Sequence, residues 1–145
     1  MSQVRKVLVA VDFSECSKKT LHYAFNFFKG CGTEFHVIYV EPGPFPEGSY
    51  IPHRSVDEME ENSTAYFAEE LKKFIPRNYR NTENVQPVLL KGVPYSKIVA
   101  YAKEQEIDLI IIGSHGMTPL EKMLLGSVAD KVIRKSTIPI LVVKH

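Results

Sequence analysis

Five short apolar runs, separated by stretches of helical spacing, constrain this chain more than any other feature in it. Strand-length segments alternating with helix-length ones are the signature of βαβ units around a parallel sheet. The runs are KVLVAV at 6–11, EFHVIYV at 34–40, NVQPVLLKG at 84–92, DLIIIG at 108–113 and IPILVVK at 138–144. The first and fourth lack polar alternation, as expected of strands covered on both faces. Pro87 has no amide hydrogen, which puts the third run at a sheet edge.

Between the runs, Leu21, Ala24, Phe25 and Phe28 recur at three- and four-residue spacing behind a cap at Ser14 or Ser17, and the glycines of KGCGT close that helix. A second helix is predicted from about Val56, with Met59, Ser63, Tyr66, Phe67, Glu70, Leu71, Phe74 and Ile75 on one mostly apolar face and Pro76 as its stop. The segment 93–107 predicts a third helix with Ile98, Val99 and Ala102 inward, and 127–135 a fourth. The Pro- and Gly-rich stretch 42–55 is a long loop, a class of segment that tends to be functional or mobile. Five strands and four helices in this order predict a doubly wound α/β fold. It is a five-stranded parallel sheet of order 3-2-1-4-5, with helices on both faces and right-handed crossovers. No repeat or second domain interrupts it, and 145 residues suit a single domain, 1–145, that buries about 70% of its unfolded surface.

Composition narrows the function. Hydrophobic residues at 44% and charged residues at 24% are the balance of a globular chain, and no segment is long enough to span a bilayer. The amino terminus has no long apolar region with a cleavage site, so a cytoplasmic location is expected. A net charge of +1 gives no footprint for nucleic acid. Cys16 and Cys31 fit neither a disulfide framework nor a zinc pair and read as free thiols.

In a doubly wound sheet, ligands bind beyond the carboxyl ends of the strands, where strand order reverses. Asp12, Val40 and Gly113 onward occupy those ends. The stretch IIIGSHGMTPLEKMLLGSVADKV places Gly113, Gly116 and Gly126 between a strand and a helix, where glycine permits positive φ or close approach of backbone to a ligand. Ser127 with Asp130 three residues on has the spacing of a capping box. A helix amino terminus offers open N–H groups and partial positive charge, a ready site for phosphate. The spacing G-x2-G-x9-G-[ST] is neither the P-loop nor the dinucleotide fingerprint.

On these residues the chain resembles the universal stress protein family, whose ATP-binding members carry G-x2-G-x9-G-[ST] after the fourth strand. Gly113, Gly116, Gly126 and Ser127 match it position for position. The likeness extends over VLVAVDFSECS, GVPYSKIVAYAKEQEIDLIIIGSHG and SVADKVIRKSTIPILVVK. It implies a site for ATP, or AMP or ADP. Asp12 and Val40 would border the adenine, and Val40 would offer backbone groups. Gly113 would lie by the ribose, and Ala10, Ile112 and Ser114 count among the binding residues. Gly116, Gly126, Ser127 and the Val128 N–H would hold the phosphates. Asp12 would serve Mg²⁺, an ion that takes oxygen ligands and keeps waters. Family members often have proline shortly before the aspartate, where this chain has Ala10, a difference in pocket shape. The resemblance also implies a homodimer through the carboxyl-terminal strand; a protein partner, unidentified, is expected beside it, and charge and segment length argue against nucleic acid and membrane. Pro139 limits that strand's ladder at its start.

Plainer roles stay open for several of these residues. The glycines suit a ligand-free turn, Asp12 a helix cap or turn, Val40 the core, and Ser127 an N-cap that is compatible with binding phosphate. Ser114 can donate to a phosphate or to its own loop. His53 and His115 read as lone, solvated loop histidines. With no G-x-S-x-G elbow and no Arg/Lys clamp in sight, a nucleotide-sensing module is favoured over a slow ATPase. The other alternative is a dimeric interaction domain of the same fold that works through its dimer and the 42–55 loop.

Overall fold

The computed structural model describes residues 3–43, 53–77, 79, 84–116 and 125–144, with only the backbone of 53–63. Its elements run β1 (Lys6–Ala10), α1 (Glu15–Phe27), β2 (Glu34–Glu41), α2 (His53–Phe74), β3 (Asn84–Lys91), α3 (Pro94–Glu104), β4 (Leu109–Gly113), α4 (Ser127–Lys135) and β5 (Ile140–Val143). The strands form one parallel sheet in the order β3-β2-β1-β4-β5, as the alternation of segments predicts. β3, with Pro87, is an edge, and β4 lies between β1 and β5.

Two cores account for the apolar runs. Successive strand residues point to opposite faces, so Val7 and Val9 join Phe35, Val37 and Ile111 under α1 and α2, where Leu21, Phe25, Leu71 and Ile75 meet them. Leu8 and Ala10 join Ile38, Val40, Ile110 and Ile112 under Ile98 and Ala102 of α3 and Ala129 and Val132 of α4. Phe25 and Phe35, both fully buried, meet edge to face at 4.9 Å.

Several boundaries differ from expectation. α2 begins at His53, so His53 is a helical residue and not part of a loop; of the 42–55 segment, 44–52 lie outside the described residues, as do the side chains of Met59 and Ser63. Tyr66 is 59% exposed, because α2 turns Phe67, Leu71 and Phe74 inward instead. α3 ends at Glu104 and the chain turns at Glu106, which takes a φ of 54°, before Ile107 returns to the core. Ser14, not Ser17, caps α1: its hydroxyl accepts the Ser17 N–H at 3.1 Å.

The capping box at Ser127 does not form. Gly126 is the N-cap, in extended backbone, and Ser127 is the first helical residue. Asp130 pairs with Arg134 at 3.2 Å. Glycine has no side chain to cap with, so the first turn of α4 has no help from its own N-cap.

Candidate functional site

The connections from β1 and β4, neighbours in the sheet, run to helices on opposite faces, α1 on one and α4 on the other. The crevice between two such exits is where a doubly wound sheet binds ligands. A cavity of about 420 Å³ opens there, within the roughly 300–1,000 Å³ of small-molecule sites. Ala10, Val40, Pro42 and Ile112 make an apolar wall with Pro94 and Ile98 of α3. Asp12, Gly113, Gly116, Gly126, Ser127 and Val128 make the other.

Asp12 has two tasks. Its Oδ1 accepts the Ser14 N–H at 3.0 Å and also meets the Ser14 hydroxyl, which fixes the turn into α1. Its own N–H donates to Ser17 Oγ at 3.3 Å. Oδ2 faces Gly116: a Cβ there would lie 2.6 Å from it. The cap reading and the cleft reading of Asp12 therefore both describe the structure, one through each carboxylate oxygen.

None of Gly113, Gly116 and Gly126 takes a positive φ; among the described residues the glycines that do are Gly30, Gly32 and Gly92. The motif's glycines answer to space. A Cβ at Gly126 would sit 3.3 Å from the Ser114 carbonyl oxygen and 3.4 Å from His115 Cα, because the Gly126 N–H donates to that carbonyl at 2.5 Å. The loop after β4 and the start of α4 are thus drawn together through backbone.

Ser114 is the site residue that the structure sets apart. It is 1% exposed, does not border the cavity, and its hydroxyl meets His115 Nδ1 at 3.0 Å. Its N–H donates to Val143 at 2.9 Å and extends the β4–β5 ladder. Its own loop therefore takes the hydroxyl. His115 is half-buried and lines the cavity, which corrects its reading as a solvated loop residue. Ser127 is exposed at the cavity with its hydroxyl free of any capping duty. Val40, 5% exposed, is core and wall at once.

Among the described residues that line the cavity there is no lysine or arginine, and Asp12 is the acidic one. Lys131, on the first turns of α4, lies 5.2 Å from the centre of the Tyr95 ring. Among the described residues, positive potential at the cleft therefore comes from the N–H groups of α4. Burial first, then the Glu41 and Asp12 carboxylates, pushes the Tyr39 phenol above its ordinary range. No group of three His, Cys, Asp or Glu side chains that would hold a metal occurs among the described residues. One carboxylate with an oxygen turned to the glycine loop suits a cation that draws its remaining ligands from phosphate and water, as Mg²⁺ does.

Ser17, Pro42, Pro94, Ile98 and His115 line the cavity without having been singled out as site residues. His115 had a signal in its place between two motif glycines. The others reach the cleft only through the sheet order and the seating of α3.

A model of the universal stress protein family matches residues 3–144. Universal stress protein MJ0531 of Methanocaldococcus jannaschii is 35% identical over 147 residues, covering 97% of this chain and 82% of that protein. The solved structure of MJ0577, from the same organism, superposes with a TM-score of 0.78 at 32% identity, covering 98% of this chain and 96% of that one. A universal stress protein solved in complex with cAMP superposes with a TM-score of 0.71 at 22% identity over 99% of this chain and 98% of its own, a likeness of fold.

Proposed function

The chain belongs to the universal stress protein family, and from that premise we propose that its cleft binds an adenine nucleotide, ATP with Mg²⁺, as the sensing step of a stress-response module. The observation that carries this is one cavity with an apolar wall at Ala10, Val40 and Ile112 and an uncapped helix start at Gly126 and Ser127 facing it. A flat base suits the first, and a phosphate tail suits open N–H groups. Gly116 and Gly126 leave backbone bare where the tail would run. Ser127 adds a hydroxyl and Val128 an N–H. Asp12, through Oδ2, would share a bound Mg²⁺ with the phosphates, and the ion would offset charge that no lysine or arginine among the described lining residues meets.

The chain's own residues bind and orient. Asp12 turns an oxygen to the glycine loop and His115 lines the same cavity, and phosphate release from ATP with Mg²⁺ measures whether hydrolysis accompanies binding. Titration of purified protein with labelled ATP, alongside Gly126→Val, tests the proposal. Wild type should bind and the variant should not, while both keep the same circular dichroism. Equal binding by both would remove the phosphate loop, and absence of binding by wild type would remove the function. A mass spectrum of nucleotide released from freshly purified protein then identifies ATP or AMP.

A second reading, dimerisation through β5, has its own observation. β5 pairs on one side with β4, and its four apolar residues are each half-buried. An apolar edge strand is a template for pairing with another chain. We infer a homodimer through this edge. Light scattering of wild type and Val142→Pro, which removes an amide facing away from β4, tests it: a monomeric wild type would end it.

A further inference from the structure

Phe13 takes a φ of 66°, a left-handed backbone that bulky L residues rarely adopt. The other described non-glycine residue with positive φ, Glu106, ends a helix, where such a turn is common. Phe13 is held there by rings. Tyr39 of β2 lies 4.5 Å away, Phe74 meets it edge on at 5.5 Å, and Phe67 stacks nearly parallel at 6.1 Å. Phe67 and Phe74 are seven residues apart and share a face of α2. Tyr39 and Phe67 also meet each other at 5.0 Å.

The turn that these rings clamp is the one that aims Asp12. The Ser14 N–H reaches back across Phe13 to Asp12 Oδ1 at 3.0 Å, and this leaves Oδ2 toward Gly116. Ser14 is also the cap of α1. A residue whose backbone is unfavourable on its own is held by its surroundings, and here part of the surroundings is a different helix. We propose that Phe13 is a positioning residue: its ring ties the seating of α2 to the orientation of the Asp12 carboxylate in the cleft. Loosening α2 releases the turn, and fixing Asp12 from the cleft side holds α2 in place. The link is a route by which occupancy would reach a helix none of whose described residues lines the cavity, and in that last respect it rests on the proposed function.

Amide exchange followed by NMR in the nucleotide-free protein tests the link without any ligand. Phe67→Ala, a change on α2 that does not touch the cleft, should speed exchange of the Ser14 N–H roughly two- to tenfold, the weight of one aromatic pair. The amides of Val9 and Phe25 should keep their wild-type rates. In a Phe13→Gly background the same Phe67→Ala change should leave Ser14 unaltered, because glycine takes the left-handed turn without the clamp. Phe13→Ala should exchange at Ser14 roughly tenfold faster than Phe13→Gly, the reverse of what side-chain packing alone would produce. Unchanged Ser14 exchange in Phe67→Ala, equal acceleration at Val9 and Phe25, or additive effects in the double variant each overturn the proposal. A second measurement uses ATP: Phe67→Ala should lower the Mg²⁺-dependent part of its affinity by a similar factor and leave the Mg²⁺-free part unchanged. If wild type binds no ATP, the proposed function falls and the Ser14 amide alone decides the link.

Discussion

Replacing Gly116 by alanine probes the cleft through a single methyl group. That Cβ would stand 2.6 Å from Asp12 Oδ2, where ordinary contact begins at 3.4 Å. The carboxylate cannot swing aside freely, because Oδ1 is held by the Ser14 N–H at 3.0 Å and by the Ser14 hydroxyl. Rotating it about 30° off its rotamer costs about 0.5–1.5 kcal/mol, and breaking one hydrogen bond to a charged group costs about 1.5–3 kcal/mol. The combined penalty is about 2–4 kcal/mol. Part of it falls on the fold, as a melting temperature lower by several degrees. Part falls on ATP·Mg²⁺, whose affinity should drop about 30-fold or more, because Oδ2 no longer faces the glycine loop. Differential scanning calorimetry and isothermal titration read the two parts separately. Adding Asp12→Ala should cost less in the Gly116→Ala background than in wild type, since the clash leaves with the carboxylate, and it should restore none of the Mg²⁺-dependent affinity. Wild-type stability together with wild-type ATP affinity in Gly116→Ala would refute the reasoning.

Ser127→Ala removes a hydroxyl that caps nothing, so stability should stay within about 0.5 kcal/mol while ATP affinity falls about tenfold; a stability loss of N-cap size, about 1 kcal/mol, would return Ser127 to a structural role. Phe35→Ala empties the centre of the core between Phe25 and Phe28 and should cost about 3–5 kcal/mol in urea unfolding, against which a loss under 1 kcal/mol would count. Burial raises the phenols of Tyr39 and Tyr101 above their ordinary range, helped by Glu41 and Asp12 in the first case and by Glu34 in the second. The folded chain therefore keeps protons that the unfolded chain releases near pH 10; their contribution to stability is complete below that pH and is lost as pH rises through the raised folded values. Urea unfolding from pH 8 to 11 should show this decline, flatter in Tyr39→Phe, and identical slopes would contradict it. With no lysine or arginine among the described lining residues, ATP should depend strongly on Mg²⁺ and AMP weakly, and equal dependence in a titration with chelator would place the ion elsewhere.

The architecture was legible because its signal is redundant. Val7 and Leu8 of β1, like Ile111 and Ile110 of β4, point to opposite covered faces, and a strand so placed must be apolar throughout, whatever its neighbours. The motif was legible as a set of positions, while its physics was not. Gly116 and Gly126 suggest positive φ, yet both serve distance: one against Asp12, the other against the Ser114 carbonyl. Such pairwise constraints join residues remote in sequence, and local spacing carries no record of them. The spacing of Ser127 and Asp130 allows a capping box, but Gly126 adopts the extended N-cap first and moves the helix start by one residue. Whether the Ser114 hydroxyl faces a ligand or its loop depends on the rotamer of the next residue, His115. Phe13 was illegible for the opposite reason: glycine or asparagine is the usual sign of a left-handed turn, and here a cage of rings substitutes for the missing permission.

The same arrangement explains why so few side chains build the cleft. Parallel register sets Ala10 beside Ile112, so the chain leaves β1 and β4 at one level, and Asp12 and the glycine loop become neighbours without a dedicated contact between them. From that level α1 starts with its cap at Ser14 and α4 starts with none. One helix start is therefore closed by protein and the other left open to the cavity, a difference that sits in the single position where serine stands at one N-cap and glycine at the other. Asp12 belongs to both: one oxygen completes the closed start, and the other faces Gly116, across the crevice, in the loop joined to the open one. An occupant that engages Oδ2 thus acts on a carboxylate that already braces the first turn of α1, and any displacement it causes is delivered to Ser14 and, through the turn at Phe13, to the aromatic face of α2.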